Sequence, residues 1–312
     1  MADKKSTYYE LILADDCTRR CPFCKYCDRK GRNATIDEIT SFFSAAFKDN
    51  GDKPFDFTMF GGEPTLNPKG IEHALGLSHN MGCRSTLITN ADKFDEIDPA
   101  CLDFLDCAIV STYDYMETMP QIRYLDIRNE LRQHNVLVTF AYTMEMNDIV
   151  NGALHRFRYF CAEDCVGCKI NLSHSPESWA KEEKWNKVYE TLLFHLKHDI
   201  DSLERVPDYL RFEKLRVKML MEGKDFQLHS CMPGMKKVWR HGKFIGECWR
   251  MEGKEIPDIS KIENCKECKW SKVCDRGCLA EIHEGRVDPR ICQMQLAKFD
   301  AVEYGLSRYG NK

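Results

Sequence analysis

Short apolar runs alternate with longer helical patterns through the first two-thirds of the chain. The runs Tyr8–Leu13, Phe55–Phe60, Arg84–Thr89, Cys107–Ser111, Val136–Tyr142 and Lys169–Ser173 have strand length. Between them, Ile36–Phe47, Gly70–Asn80 and Ile122–His134 repeat apolar residues at helical spacing. In the first of these, Ile36, Ile39, Phe42, Phe43 and Ala46 share a face. Such repeated alternation predicts parallel strands joined by crossover helices, hence an α/β fold, either an open sheet or a full or partial barrel. Lys181–Leu220 reads as mostly helical, with Trp185, Val188, Leu192, Leu193 and Leu196 on one face and Pro207 interrupting it. Past about residue 225 the periodicity fades, and a segment without regular elements is expected there. A domain boundary is expected near Asp225, giving residues 1–224, with a helical linker over 181–224, and residues 225–312.

Composition narrows the class. The 312 residues are 43% hydrophobic and 30% charged, enough apolar material for a substantial core and enough charge for a wet surface. A formal net charge of -4, with both signs interspersed, argues against a bulk nucleic-acid or membrane-surface binder, so no DNA and no membrane partner is expected. No segment approaches the roughly 20 apolar residues of a membrane span. The start, Met1-Ala-Asp-Lys-Lys-Ser-Thr, lacks the apolar core of a secretory signal, so a cytoplasmic location is expected. The 17 cysteines then need another explanation than disulfides, and metal binding is the usual one.

The first cysteine set, Asp16-Cys17-Thr-Arg-Arg-Cys21-Pro-Phe-Cys24, directly follows the first strand. Its spacing alone would suit one helical face. Pro22 disfavours helical geometry at Cys21, so a loop that lets three thiolates converge is the better reading. Three ligands leave a metal position open, whereas structural zinc takes four. Cys27 is the alternative fourth ligand. Arg19 and Arg20 are placed to offset negative charge at such a site.

This triplet, with Phe23 before its last cysteine, resembles the signature of the radical S-adenosylmethionine superfamily. Gly61-Gly62-Glu63-Pro64, ending the second strand, resembles that family's second motif. Two glycines allow a close backbone approach, and a carboxylate can receive an ammonium group. The resemblance implies a partial (β/α)6 TIM-like barrel. It also implies a [4Fe-4S] cluster on Cys17, Cys21 and Cys24 whose fourth iron chelates S-adenosylmethionine. Glu63 would then hydrogen-bond the methionine amino group, and backbone near Phe23 would meet the adenine. Ser111 matches a polar residue at the fourth strand end, and Arg123 would contact carboxylate or ribose. Here the chain reads Ser-Thr-Tyr-Asp rather than the family's Ser-x-Asp-Gly.

Near the C-terminus, Cys265, Cys268, Cys274 and Cys278 are spaced CX2CX5CX3C, with Cys231 and Cys248 before them and Cys292 after. Alone, four such cysteines would suggest zinc. Beside the first set they resemble the SPASM extension of radical enzymes, a C-terminal cysteine-rich iron–sulfur domain. The resemblance implies one auxiliary cluster on Cys265, Cys268, Cys274 and Cys292 and another on Cys231, Cys248 and Cys278. Some members have a further cysteine before Cys231, and Gly242 stands one residue further from Cys248 than usual. The second of these clusters could therefore have only three cysteines, with an open site, a non-cysteine ligand or a smaller cluster. Trp239, Trp249 and Trp270 are expected to shield these sites from water.

Cys161, Cys165 and Cys168 repeat the first spacing, but Leu154, Phe157 and these three cysteines form a helical apolar stripe, with Gly167 suited to a helix end. The set also precedes a strand, whereas barrel chemistry sits at carboxyl ends, so core thiols are expected here. Cys83, Cys101 and Cys107 read likewise.

The resemblance implies cleavage of S-adenosylmethionine to a 5′-deoxyadenosyl radical, hydrogen abstraction, and an oxidation or cross-link on a peptide or protein side chain. An external electron donor such as flavodoxin or ferredoxin is implied. Only about seven residues precede the first strand, too few for a leader-binding domain, so a peptide substrate is expected either to be bound by the barrel itself or to be delivered by a separate leader-binding protein. Two rivals stand beside this reading. One is a radical enzyme acting on a small molecule or nucleotide. The other is a non-catalytic zinc or iron–sulfur sensor.

Overall fold

The structure is a computed structural model. It describes residues 7–21, 23–24, 31–112, 121–145, 148, 151–164, 166–172, 188–224, 236–247, 262, 265–274, 282–283, 286–287 and 289–310. The chain divides into two compact units. The first comprises Met1–Thr143, Cys161–Lys169 and Gly234–Gly253; the second comprises Met144–Phe160, Ile170–Pro233 and Lys254–Lys312.

One sheet organises the first unit. Its strands are β1 (Tyr8–Ala14), β2 (Asp56–Gly61), β3 (Arg84–Thr89), β4 (Cys107–Ser111), β5 (Leu137–Met144), β6 (Gly167–Leu172), β7 (Lys236–Arg240) and β8 (Lys243–Gly246). They lie in the order β6-β5-β4-β3-β2-β1-β7-β8. Pairings from β1 through β5 are parallel, β7 pairs parallel to β1, and β8 returns antiparallel to β7. The crossover helices include α1 (Ile36–Asp49), α2 (Pro68–Met81) and α3 (Gln121–Gln133). This is the expected partial TIM-like α/β architecture.

Alternation along β1 builds the core beside the first cysteine set. Tyr9, Leu11 and Leu13 are fully buried, and the Tyr9 ring meets Phe42 and Phe55 at centroid distances of 6.4 and 5.0 Å. The α1 face that supplies Ile39, Phe42, Phe43 and Ala46 begins at a capping box, in which Thr35 and Glu38 satisfy each other's backbone N–H groups. Arg32, hydrogen-bonded to Glu38, holds that carboxyl down at about 2.

Two expectations fail past residue 225. Lys236–Arg240 and Lys243–Gly246 are strands, which the sequence reading left irregular. Their polar side chains are used at the sheet edge: Lys236 pairs with Glu10 at 3.1 Å and Lys237 with Asp49 at 2.5 Å. The hairpin turns at His241 and Gly242, whose φ values of 49° and 80° are the positive pair a two-residue turn requires. Trp239 packs on Phe42 and Phe244 in this unit, at 6.0 and 4.9 Å, rather than at a cysteine site.

The second unit contains α5 (Val188–Leu203), α6 (Arg211–Met221) and α7 (Pro289–Tyr309), a 21-residue helix also unforeseen in the sequence. It also holds a two-stranded ribbon of β9 (Ile282–His283) and β10 (Arg286–Val287). Pro207 does break the helical stretch between α5 and α6. A Cβ on Gly305 of α7 would stand 2.8 Å from Val206 and 3.0 Å from Ile200, so this glycine permits close packing of α7.

The helix α4 (Ala153–Glu163) buries Leu154, Phe157 and Cys161 as the stripe predicted. The stripe ends there. Gly167 and Cys168 belong to β6, not to a helix end, and Cys165 lies outside the described residues. A Cβ on Gly167 would stand 2.5 Å from Thr139 Oγ1, so close strand packing accounts for this glycine. The Cys161 thiol hydrogen-bonds Cys168, and with burial this pushes it well above its ordinary pKa.

Candidate functional site

The carboxyl ends of β1, β2 and β3 meet in one hydrogen-bonded assembly. Gly62 N–H donates to Ala14 O at 2.7 Å and Glu63 N–H to Asp16 O at 2.8 Å, fastening the β2 end to the chain that enters the cysteine loop. Both glycines are required for this approach. A Cβ on Gly61 (φ 144°) would overlap the Ala14 carbonyl, and one on Gly62 would overlap that of Asp16. In this structure the backbone that the glycines admit is the chain's own.

Glu63 is 1% exposed. Its Oε1 accepts from Thr65 N at 3.0 Å, Thr65 Oγ1 at 2.7 Å and Thr89 Oγ1 at 2.5 Å, and its Oε2 accepts from Asn90 N at 2.6 Å. Burial pushes its pKa up, against the four donors that favour the carboxylate. Two carboxylate oxygens offer about four acceptor positions, and three of these donors share Oε1, so Oε2 keeps acceptor capacity. Pro64, also buried, opens the turn that aims Thr65 at Glu63.

The end of β3 continues this assembly to the cysteines. Asn90 Nδ2 donates to Cys17 Sγ at 3.6 Å and Thr18 Oγ1 at 3.0 Å. Arg19 binds Asp92 through Nε at 3.0 Å and Nη2 at 2.5 Å, and reaches Asn90 O at 3.1 Å. Burial raises the Asp92 pKa, but Arg19 and Thr18 outweigh it and hold the carboxyl below its ordinary value. Arg19 is thus tied to Asp92, while Arg20 donates to Cys17 O at 2.5 Å. Ala91, fully buried at φ 61°, holds a left-handed conformation uncommon for a residue with a Cβ. Local strain of this kind clusters at functional sites.

Beneath the loop, Asp15 is fully buried and takes Arg240 Nε at 2.9 Å and His241 Nε2 at 2.7 Å. The β7–β8 hairpin therefore anchors the residue two positions before Cys17. Cys17 and Cys21 are half-buried, Cys24 is exposed, and Cys24 N–H donates to Cys21 O at 3.0 Å, a turn between the last two thiols. Phe23 is half-buried. Arg123 binds Ala91 O at 3.2 Å and Asp92 O at 3.1 Å, bracing the β3 end. Ser111 ends β4 in register with Ala141. Pro22 and Cys27 lie outside the described residues, as do Cys231, Cys248, Cys278 and Trp249.

Thr65, Thr89, Asn90, Asp92 and Asp15 were not singled out in the sequence. The available signal was the polar run Thr89-Asn90-Ala91-Asp92 closing an apolar strand, since chemistry in such folds sits at carboxyl strand ends.

In the second unit, a cavity is lined by Cys265, Cys268, Cys274 and Cys292, together with Trp270, Gln295 and Phe299. Successive turns bring the first three cysteines round: Cys268 N–H donates to Cys265 O at 3.3 Å and Cys274 N–H to Trp270 O at 2.7 Å. Cys292 comes from the first turn of α7, and burial with the neighbouring Cys265 and Cys268 thiols pushes its pKa up. Trp270 closes the wall, stacked on Phe299 at 5.3 Å, with Nε1 on Asp300 at 3.0 Å. Lys269 is taken by Asp300 and Glu303 at 2.8 and 2.9 Å and lies over the Trp270 ring. Among the described residues, no three His, Cys, Asp or Glu side chains converge as a ligand set for a single metal ion.

The mostly parallel α/β sheet of the first unit and the four-cysteine cavity of the second agree with the fold that the resemblance to radical S-adenosylmethionine enzymes with a SPASM extension implies. Among solved structures, native anSMEcpe with bound AdoMet and the Cp18Cys peptide aligns over 98% of this chain and 99% of its own, at 16% identity and a TM-score of 0.68. Native anSMEcpe with bound AdoMet alone aligns over 97% and 99%, at 17% identity and a TM-score of 0.65. SuiB of Streptococcus suis bound to S-adenosylmethionine aligns over 93% of this chain and 77% of its own, at 14% identity and a TM-score of 0.62. At these identities the likeness is one of fold. No protein-family model and no curated protein matches the sequence. Among the described residues, no helix is long and apolar enough to cross a membrane.

Proposed function

We propose that the chain is a radical S-adenosylmethionine enzyme acting on a peptide or protein side chain, with an oxidation or a cross-link as the outcome. The observation that carries this reading is the continuous link from Glu63 through Asn90 to Cys17, which couples a carboxylate to a thiol loop at the strand ends. Cys17, Cys21 and Cys24 would hold a [4Fe-4S] cluster with one open iron. When bound there, such a cluster would supply the electron for cleaving S-adenosylmethionine into methionine and a hydrogen-abstracting 5′-deoxyadenosyl radical.

The chain's own groups have definable tasks. The Asn90 amide offsets negative charge on Cys17 Sγ, and Arg19–Asp92 fixes the loop that carries it. Oε2 of Glu63 keeps acceptor capacity for an ammonium group, while Gly61, Gly62 and Pro64 hold that carboxylate in place. Backbone near Phe23 meets the adenine in this reading, and Ser111 and Arg123 flank the same strand ends.

Residues 225–312, apart from the β7–β8 hairpin that joins the sheet of the first unit, are proposed as the auxiliary-cluster domain. The four thiols that line the cavity suit an iron–sulfur cluster, whose thiolates bind separate irons. A second auxiliary cluster is assigned to Cys231, Cys248 and Cys278. An auxiliary cluster can accept the electron that a substrate radical must lose. The peptide preference is supported by the likeness to anSMEcpe with the Cp18Cys peptide bound. Flavodoxin or ferredoxin as donor, a separate leader-binding protein and a cytoplasmic location complete the proposal.

Anaerobic reconstitution, followed by iron and sulfide counting and a peptide screen with S-adenosylmethionine and dithionite, tests it. The reading expects iron with matching sulfide, and 5′-deoxyadenosine formation that rises when a suitable peptide is added. Zinc in place of iron would contradict the cluster assignments. Stimulation by a small molecule or nucleotide but by no peptide would overturn the substrate class.

A further inference from the structure

Gln295 stands at the wall of the four-cysteine cavity, one helical turn after Cys292 on α7. It is 7% exposed, and its side-chain Oε1 is buried without a hydrogen-bond partner. The aromatic wall beside it offers no free donor, because Trp270 Nε1 already donates to Asp300 at 3.0 Å. A carboxamide oxygen buried without a partner at the wall of a cavity lined by four cysteines is costly, because it has lost water without compensation. Half a turn about the terminal carboxamide bond, a broad two-fold torsion, exchanges that oxygen for an NH2 group with two donors. Sulfur ligands and sulfides accept such donors, and hydrogen bonds to them stabilise the more negative, reduced form of a cluster.

We propose that the Gln295 amide donates a hydrogen bond to a sulfur of the cluster held by Cys265, Cys268, Cys274 and Cys292, raising that cluster's reduction potential. The inference rests on the cluster assignment made above. Gln295 is a tuning residue, not a ligand, so its removal should change potential without changing metal content.

The test uses the reconstituted full chain and its Gln295→Leu variant, with Gln293→Leu on the same helix as a control. Gln293 does not line the cavity. Iron and sulfide are counted first, and the clusters are then titrated electrochemically with EPR detection. The expected result is equal iron in all three proteins, a more negative midpoint for one cluster in Gln295→Leu, and no shift in Gln293→Leu. An unchanged midpoint with iron present overturns the role of Gln295 alone. Absence of iron from these cysteines in the wild-type chain overturns the cluster reading and this inference together. A measurement on the unmutated protein guards against a variant that fails to fold. With glutamine amides labelled with 15N, pulsed EPR of the reduced cluster should show a nitrogen coupling, and its absence would also overturn the proposal.

Discussion

Asn90 donates its backbone N–H to Glu63 Oε2 at 2.6 Å while its side-chain amide reaches Cys17 Sγ at 3.6 Å. One residue at the end of β3 thus joins the carboxylate of the second motif to the first thiol of the cysteine loop. Neither motif, read separately, contains this residue.

Asn90→Ala should therefore keep the backbone bond and remove only the amide. Loss of an outer-shell partner of this kind costs roughly 10–100-fold in metal affinity or activity. The expected outcome is unchanged far-UV circular dichroism and a fall of that size in 5′-deoxyadenosine formation. An undiminished rate would show that the Asn90 side chain does not act on Cys17.

Asp92→Asn probes the ion pair that holds the loop. Arg19 and Asp92 have side-chain exposures of only 11% and 23%, so losing the charge-assisted bonds should cost about 2–3 kcal/mol. Because the Asp92 pKa is depressed in the folded chain, its contribution is present above the unfolded carboxyl value and lost as pH falls through the folded one. Urea unfolding of the metal-free chain should show the full gap between wild type and variant at pH 7. The gap should start to narrow as pH falls below about 4 and close only below the depressed folded value.

Asp15→Asn tests the anchor under the loop. Asp15 is fully buried against Arg240 and His241, and breaking a buried pair costs about 3–5 kcal/mol when a charge is left behind. Thermal unfolding should record that loss, and iron should be released faster from the reconstituted variant. Wild-type stability and iron retention would show that the β7–β8 hairpin does not position the cysteines.

Cys161→Ala separates the repeated spacing from the functional one. Cys161 is 1% exposed and hydrogen-bonded to Cys168, so the change should cost about 1–2 kcal/mol of stability and leave the iron content unchanged. Cys265→Ala should instead lower iron content. A drop in iron for Cys161→Ala would reverse the assignment.

The sequence disclosed what local periodicity carries. β3 and β4 follow their apolar runs residue for residue, and α1 follows the face from Ile39 to Ala46. Lys236–Arg240 escaped because its lysines pair with Glu10 and Asp49, partners distant in sequence. The helix α7 carries Ile291, Met294, Ala297 and Ala301 at helical spacing, a pattern broken by Lys298 and Asp300. Cysteine spacing pointed to both thiol groups. The contributions of Asp15, Asn90 and Gln295 depend on strands and turns meeting in space, which spacing along one chain does not encode.

Cys17, Cys21 and Cys24 are assigned the reductive cleavage of S-adenosylmethionine. The most direct measurement is 5′-deoxyadenosine formed anaerobically with dithionite by the reconstituted chain and by its Cys17→Ala/Cys21→Ala/Cys24→Ala variant. Product is expected from the wild type and none above background from the variant, which should still contain iron at its C-terminal cysteines. No product from an iron-loaded wild type, or equal product from both proteins, would contradict that assignment.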